Sequence, residues 1–429
     1  MITMLMKTAL FISFCAIFRP SLASVRDPVR PEQVHISYGE SELEIVVTWS
    51  TMSPTPTPTV EYSLQGYQQT ATGSTKVFID GGDEKRKQYI HRVTLTDLKP
   101  DSKYQYRCGS VERWSIEFWF KTRPSSGWSP KLVVLGDMGS VNAVSLPTLQ
   151  MRTREGSYDA VIHVGDIAYD LADENGRVGD NYMNQIQPVA AYVPYMVCPG
   201  NHERHYNFSH FRERFTMPGS SENLYYSFNM GPVHFVSVNT EAYWFLEFGF
   251  KLIVKQFNWL LRDLEEANEN RSERPWIVLY GHRPMYCSGI SPECWQDAPT
   301  RSGLNKMFGL EKVLHDYGVD VVFWGHQHYY ERLFPIYDNV VRNGSVDEPY
   351  LNPKAPVHII TGAGGSDDLL EPFSPVAIPS SAVRNLNYGY TEVHFLNSTH
   401  LSLKQVATDA NNTIVDEVMI VKNAHGPYK

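Results

Sequence analysis

The sequence predicts an all-β domain followed by a larger α/β domain. Three observations carry that prediction. Residues 24 to about 125 hold short alternating runs broken by regular turns, the pattern of stacked antiparallel strands. After Pro130 the strand-like runs become continuously apolar, as strands covered on both faces are, and helical stretches separate them. The length, 429 residues, exceeds what one ordinary core fills and points to two or three domains.

The elements follow in chain order. Met1 to Lys7 carries one positive charge, Thr8 to Phe18 is apolar, and "PSLAS" supplies small residues, so residues 1–23 read as a signal peptide cleaved after Ala23. The apolar run is short for a span, which takes about 20 residues. No later stretch suits a membrane crossing, so none is expected in the mature chain. "HISYGESELEIVVTWST" gives two strands around a turn, with Trp49 as a core anchor. "PTPTPT" is a loop or edge, because proline cannot sit in a central ladder. "YIHRVTLTDLKPDSKYQYRCGS" alternates, turns at Lys99-Pro100-Asp101, and alternates again. Its run Leu98, Pro100, Tyr104, Tyr106 resembles a fibronectin type III-like domain. "RPSSGWSP", Arg123 to Pro130, is the linker, and the α/β domain is expected over 130–429.

In that second domain "KLVVLGD", "DAVIHVGD", "PYMVCPGNH", "PWIVLYGH" and "DVVFWGHQH" read as buried strands. "QFNWLLRDLEEANEN" puts Phe257, Leu260, Leu261 and Leu264 on one helical face, and "GLEKVLHDYG" is a second helix. "NLYYSFNMGPVHFVSVNTE" reads as a hairpin, so the sheets are mixed. From about residue 350 the chain closes with strands, "VHIITGAGGSDD" and the hairpin "GYTEVHFLNSTHLSLKQV".

Composition narrows the function. Net charge is −9, from 38 basic and 47 acidic residues, which argues against a general nucleic-acid binder. A secretory leader predicts glycans and disulfides. Sequons stand at Asn207, Asn270, Asn343, Asn397 and Asn411. Cys15 leaves with the signal, and Cys287 and Cys294 are expected to close a small loop disulfide. Cys108 and Cys198 either pair or stay buried and free.

Five strand-like runs end alike, in a glycine and then a metal-type side chain. They deliver Asp137, Asp166 with Tyr169, Asn201, His282, and His326 with His328. One Gly-Asp means nothing, but five at successive strand ends do not arise by chance. Ligands of open α/β sheets bind outside the carboxyl ends of the strands, so these side chains should converge. The set exceeds what one tetrahedral zinc takes. It suits two ions about 3.5–4 Å apart, a clamp for phosphoryl chemistry. Asp166, with two oxygens, is the natural bridge. On a strand, the imidazoles of "HQH" would face one side, one for each ion. Tyr169 sharpens the metal: a phenol with a free pKa of about 10 needs a strong Lewis acid to stay ionised. Fe³⁺ does this better than Mg²⁺ or Ca²⁺, and an iron–phenolate bond absorbs visible light.

"GDMG", "GDIAY", "GNHE", "GHRP" and "GHQH", in this order, resemble the five metallophosphoesterase blocks of purple acid phosphatases, members of the calcineurin-like superfamily. The chain looks most like the animal members of the plant-type, high-molecular-weight group. The resemblance implies two mixed β-sheets packed face to face and flanked by helices. It implies Fe³⁺ on Asp137, Asp166, Tyr169 and His328, and a divalent iron, zinc or manganese on Asp166, Asn201, His282 and His326. It implies hydrolysis of phosphate monoesters by a metal-bound hydroxide, with His202 beside the substrate as phosphate binder or proton donor. One departure stands out. Related enzymes often carry further histidines after the "GH" block, whereas residues 283–304 have none. His202 then acts alone, or Glu203, Tyr286 or another loop assists.

The remaining features read as structural. His163 belongs to the core or supports the ligands, and His205 and His210 to the surface. "EKRK", Glu84 to Lys87, is a solvated turn, and "YYER", Tyr329 to Arg332, packs behind the histidines. "GAGG", Gly362 to Gly365, lacks the Lys-Ser/Thr of a nucleotide P-loop and reads as a tight turn. Three functions fit in descending order: a secreted or lysosomal acid phosphatase; a phosphodiesterase or nucleotide hydrolase on the same metals; and a secreted binding protein on a phosphatase scaffold.

Overall fold

The structure, a computed structural model, describes residues 27–428. The leader 1–23 and Cys15 lie outside the described residues. Alternating residues in the first eight strands build two antiparallel four-stranded sheets. One runs in the order Glu32–Tyr38, Ile45–Thr51, Lys87–Leu95, Ser74–Ile79, and the other Tyr67–Thr72, Thr59–Leu64, Lys103–Gly109, Phe118–Lys121. Val34, Trp49 and Val93 of the first share one core with Val60, Tyr104 and Phe120 of the second. Trp49 is fully buried, as an anchor should be.

The rest of the chain forms two larger mixed sheets. The first has six strands in the order Tyr195–Cys198, Ala160–Val164, Lys131–Leu135, Gly389–Phe395, His400–Ala407, Thr413–Val421. The second has seven, in the order Tyr226–Met230, Val233–Ser237, Trp276–Tyr280, Val321–Trp324, Val357–Thr361, Tyr330–Leu333, Ser381–Asn385. Strand alternation explains the layering. Val278 and Tyr280 join the core shared with the first sheet, while Ile277 and Leu279 face a second core. Ile253, Leu260 and Leu264 of the helix Phe250–Glu269 cover that second core. This helix starts six residues before the expected Gln256, and Phe257 and Leu261 lie half-buried at its flank. Among the described residues no helix is long and apolar enough to cross a membrane.

Several polar contacts fasten the β-sandwich to the larger unit, and one carboxylate gathers four donors at their centre. Asp180, on the helix Asp173–Ala190, accepts from Arg86 at 2.6 Å, Arg214 at 2.9 Å, Gln88 at 3.0 Å and Gln33 at 3.2 Å. Arg86 therefore departs from the solvated turn expected for "EKRK". His210, expected at the surface, is buried, because Asp80 of the sandwich reaches its Nε2 at 2.7 Å.

Candidate metal centre

The five motif strands divide between the two sheets. Lys131–Leu135, Ala160–Val164 and Tyr195–Cys198 are parallel neighbours in the first, and Trp276–Tyr280 and Val321–Trp324 are parallel neighbours in the second. Their carboxyl ends meet because the sheets are stitched there. Gly136 N, after the first-sheet strand Lys131–Leu135, donates to Thr361 O of the second sheet at 2.8 Å, and Gly364 N donates back to Gly136 O at 3.0 Å. Glycine is required where the loops touch. A Cβ at position 200 would lie 2.2 Å from Asp166 Oδ1, and one at position 165, where φ is +86°, would lie 2.5 Å from His282 Nδ1.

All seven expected donors gather at this edge, in two adjoining groups. In one, Tyr169 Oη lies 2.9 Å from His328 Nε2 and 3.4 Å from Asp137 Oδ1, and His328 Nε2 lies 3.5 Å from Asp137 Oδ1. In the other, His282 Nε2 lies 3.1 Å from both Asp166 Oδ2 and Asn201 Oδ1, and His326 brings a ring nitrogen within 4.8 Å of the Asp166 and His282 donors. The groups are joined by the His326 amide, which donates to Asp137 Oδ2 at 2.9 Å. His326 and His328 do not stand on a strand, as the alternation of "HQH" suggested. The strand stops at Trp324 and the two histidines occupy a bend, with His326 at φ +68°.

Asp137, Asp166, Tyr169 and His326 all have left-handed backbones, at φ +56°, +48°, +45° and +68°. Such conformations are costly for residues with a Cβ and persist where the surroundings over-determine them. Here they aim four side chains into one space. Main-chain carbonyls settle two of the imidazoles. His282 Nδ1 donates to Val164 O and His328 Nδ1 to Leu369 O, each at 2.9 Å, which leaves Nε2 of both rings facing the donors.

Three supporting groups were not singled out as supports from the sequence. Glu203 is buried and accepts three amides, from Asp166 and Ile167 at 2.9 Å and Gly200 at 2.8 Å. Burial and the charge on Asp166 raise its pKa, and the amides of Ile167 and Gly200 oppose that rise. Asp170 holds His202 Nδ1 at 3.2 Å, which turns His202 Nε2 to 3.9 Å from Asp166 Oδ2. Burial disfavours charge on His202, but the bond to Asp170 and the charge on Asp166 outweigh it and raise the imidazole to about 9. Arg283 sends Nε to buried Glu241 at 2.8 Å and Nη1 to Glu293 at 2.7 Å. A signal for Glu203 was present in "GNHE". Asp170 lies in a loop and Glu241 and Glu293 in single 3₁₀ turns, too short for any period to mark them.

Cys287 and Cys294 form a disulfide, and Cys108 and Cys198 are buried and free. Asn207, Asn270, Asn397 and Asn411 are exposed, and Asn343 is half-buried. His163 is fully buried between the hydroxyls of Tyr182 and Tyr195. The "YYER" segment is buried, and "GAGG" turns beside the site, where a Cβ on Gly362 would lie 2.8 Å from Asp137 Oδ2.

Three family models match the chain in sequence order: purple acid phosphatase N-terminal domain over residues 31–122, calcineurin-like phosphoesterase over 130–330, and iron/zinc purple acid phosphatase-like protein C over 355–417. Acid phosphatase type 7 of Mus musculus is 49% identical over 424 residues, 96% of each chain. Purple acid phosphatase 22 of Arabidopsis thaliana is 30% identical, over 91% of this chain and 85% of that protein. The solved structure of a purple acid phosphatase from yellow lupin (Lupinus luteus) seeds is similar with a TM-score of 0.79 and 25% identity, over 92% of this chain and 75% of that one.

Proposed function

This chain belongs to the purple acid phosphatase family, and on that premise we propose that it is an acid phosphatase hydrolysing phosphate monoesters at a binuclear metal centre. One observation carries the reading: seven donors from five strand ends of two sheets converge into two groups, one of them holding a phenol. The donor chemistry fits the metals. Asp137 and Tyr169, with Asp166 shared, offer hard anionic oxygens suited to Fe³⁺, and His328 adds an imidazole nitrogen. Asp166, neutral Asn201, His282 and His326 offer a less negative set suited to divalent iron, zinc or manganese. When bound, two such cations neutralise phosphate charge and acidify water.

The chain's own residues supply the rest. His202 has Nδ1 tied to Asp170 and Nε2 turned toward the centre, where its protonated form can bind a phosphate oxygen or protonate the leaving group. Glu203 fixes the Asp166 loop against the Asn201 loop. The mouse relative, named as an acid phosphatase, supports that activity. We further assign 24–125 to a fibronectin type III-like domain and 130–429 to the catalytic domain. Residues 1–23 would direct the protein to the exterior or the lysosome. The Cys287–Cys294 disulfide and four exposed sequons support that route.

The test is the visible spectrum of the purified protein, with metal analysis and a Tyr169→Phe control. A purple or pink band lost in the Phe variant, with about two metals per chain as the clamp requires, is the expected result. A colourless protein with two zinc or manganese ions would refute iron. Turnover of diesters but not monoesters would refute the substrate class.

A further inference from the structure

His282 and His328 are turned by main-chain carbonyls, but His326 is not. Its Nε2 instead lies 2.8 Å from Glu293 Oε2. We propose that Glu293 is the positioning residue of His326: it accepts the Nε2 proton and so presents Nδ1 to the ion shared with Asp166, Asn201 and His282. This assignment rests on the metal-centre reading above.

The carboxylate is delivered by a braced loop. Glu293 precedes Cys294, whose disulfide to Cys287 closes the loop. Ser288 donates to buried Glu331 through N at 2.9 Å and Oγ at 2.5 Å, and Gly289 N donates to Tyr329 Oη at 3.0 Å. Tyr329 ends the histidine bend and Glu331 follows it, so these bonds tie loop and bend together. A second brace comes from Arg283, next to His282. Its Nη1 donates to Glu293 Oε1 at 2.8 Å and Oε2 at 2.7 Å, while its Nε is tied to buried Glu241 at 2.8 Å. Arg283 Nη1 also lies 2.9 Å from His326 Nε2. A guanidinium only donates, so with Nε2 protonated the two groups are brought together by the carboxylate they share. The second nitrogen of a ligating imidazole ordinarily donates to such a group, and loss of that group costs about 10–100-fold in metal affinity. The segment 283–304, which lacks histidine, thus acts on the centre through an acid.

The experiment loads the intact protein and its Glu293→Ala, Glu293→Gln and Cys287→Ser/Cys294→Ser variants with metal. Each is dialysed against graded chelator, and both ions and the visible band are followed, with unfolding measured on metal-free samples. Glu293→Ala should release the divalent ion at about 10–100-fold lower chelator concentration, while the ion on Tyr169 and its band remain. Glu293→Gln keeps an acceptor oxygen and should recover most of the affinity. The double serine variant, with its loop released, should fall between the two. Equal retention of both ions by Glu293→Ala would overturn the assignment. So would joint loss of both ions with a matching loss of metal-free stability, which would make Glu293 a residue of the fold. If the unaltered protein takes up no metal, the centre itself is misread and the assignment falls with it.

Discussion

Replacing Glu203 by Gln tests whether one buried carboxylate holds the Asp166 and Asn201 loops in register. Glu203 Oε2 accepts from Asp166 N and Gly200 N, and Oε1 from Ile167 N. Glutamine has the same shape but only one acceptor. Its better rotamer puts oxygen between Asp166 and Gly200 and turns an NH₂ toward the Ile167 amide. One charge-assisted hydrogen bond is lost, about 1.5–3 kcal/mol, and a buried donor is left unsatisfied, about 1–3 kcal/mol. Relief of burial and of repulsion from Asp166 offsets part of this, since both already push the carboxyl up. The expected net loss is about 2–4 kcal/mol. Urea unfolding of metal-free protein reads that loss, and ion retention under chelator reads the shift of Asp166 against Asn201. Unchanged unfolding together with full metal retention would refute the idea that these three amides set the geometry.

Other consequences are equally direct. Asp180→Ala leaves the buried Arg214 guanidinium unpaired and should cost about 3–5 kcal/mol, read as a lowered melting temperature. A change within 0.5 kcal/mol would remove Asp180 from the role of fastening. His202→Asn should slow hydrolysis of alkyl phosphates by about 10²-fold or more while sparing esters of acidic phenols, if Nε2 protonates the leaving group. Equal slowing of both would leave it only phosphate binding. Burial holds His35 and His91 at about 4 and His358 at about 3. In the unfolded chain these imidazoles take up protons near pH 6.5, so between about pH 6.5 and 4 the unfolded state binds more protons and stability falls as pH falls. Urea midpoints at pH 7 and 4.5 should show the loss, and His358→Gln should make it shallower. A pH-independent midpoint would contradict the burial of these rings.

The donors were legible because each signal is local: an apolar run, a glycine, and a hard or imidazole side chain within a few residues. Tyr169 was readable for the same reason, three places after Asp166. The sandwich and the mixed sheets followed from alternation and from continuous apolar runs. Features set by distant partners were not legible. His210 looks like any polar residue until Asp80 reaches it from the sandwich. The strand after Asp320 was extrapolated through "HQH", although Gly325 ends it and the two histidines sit on a bend. The helices Leu146–Arg154 and Asp173–Ala190 gave no pattern, because the second carries Gly176, Gly179 and Pro188 and is stabilised by contacts with the sandwich rather than by propensity. Glu293 was hidden in a loop whose missing histidines drew the reading instead.

The order in which the first ligand strand finds its neighbours bears on biosynthesis. Lys131–Leu135, which ends at Asp137, pairs with Ala160–Val164 on one side and Gly389–Phe395 on the other, and Gly136 N waits for Thr361 O. Chains are made from the N-terminus. The oldest ligand on a nascent chain is therefore among the last to be fixed, after residues 389–395 have left the ribosome. A premature stop upstream of that strand would spare the coding sequence of all seven donors and still leave an apolar strand edge open to other chains. Such a product should be caught by chaperones or aggregate before it could hold iron, so the strand Gly389–Phe395 acts as a proof of completeness for a centre to which it lends no donor.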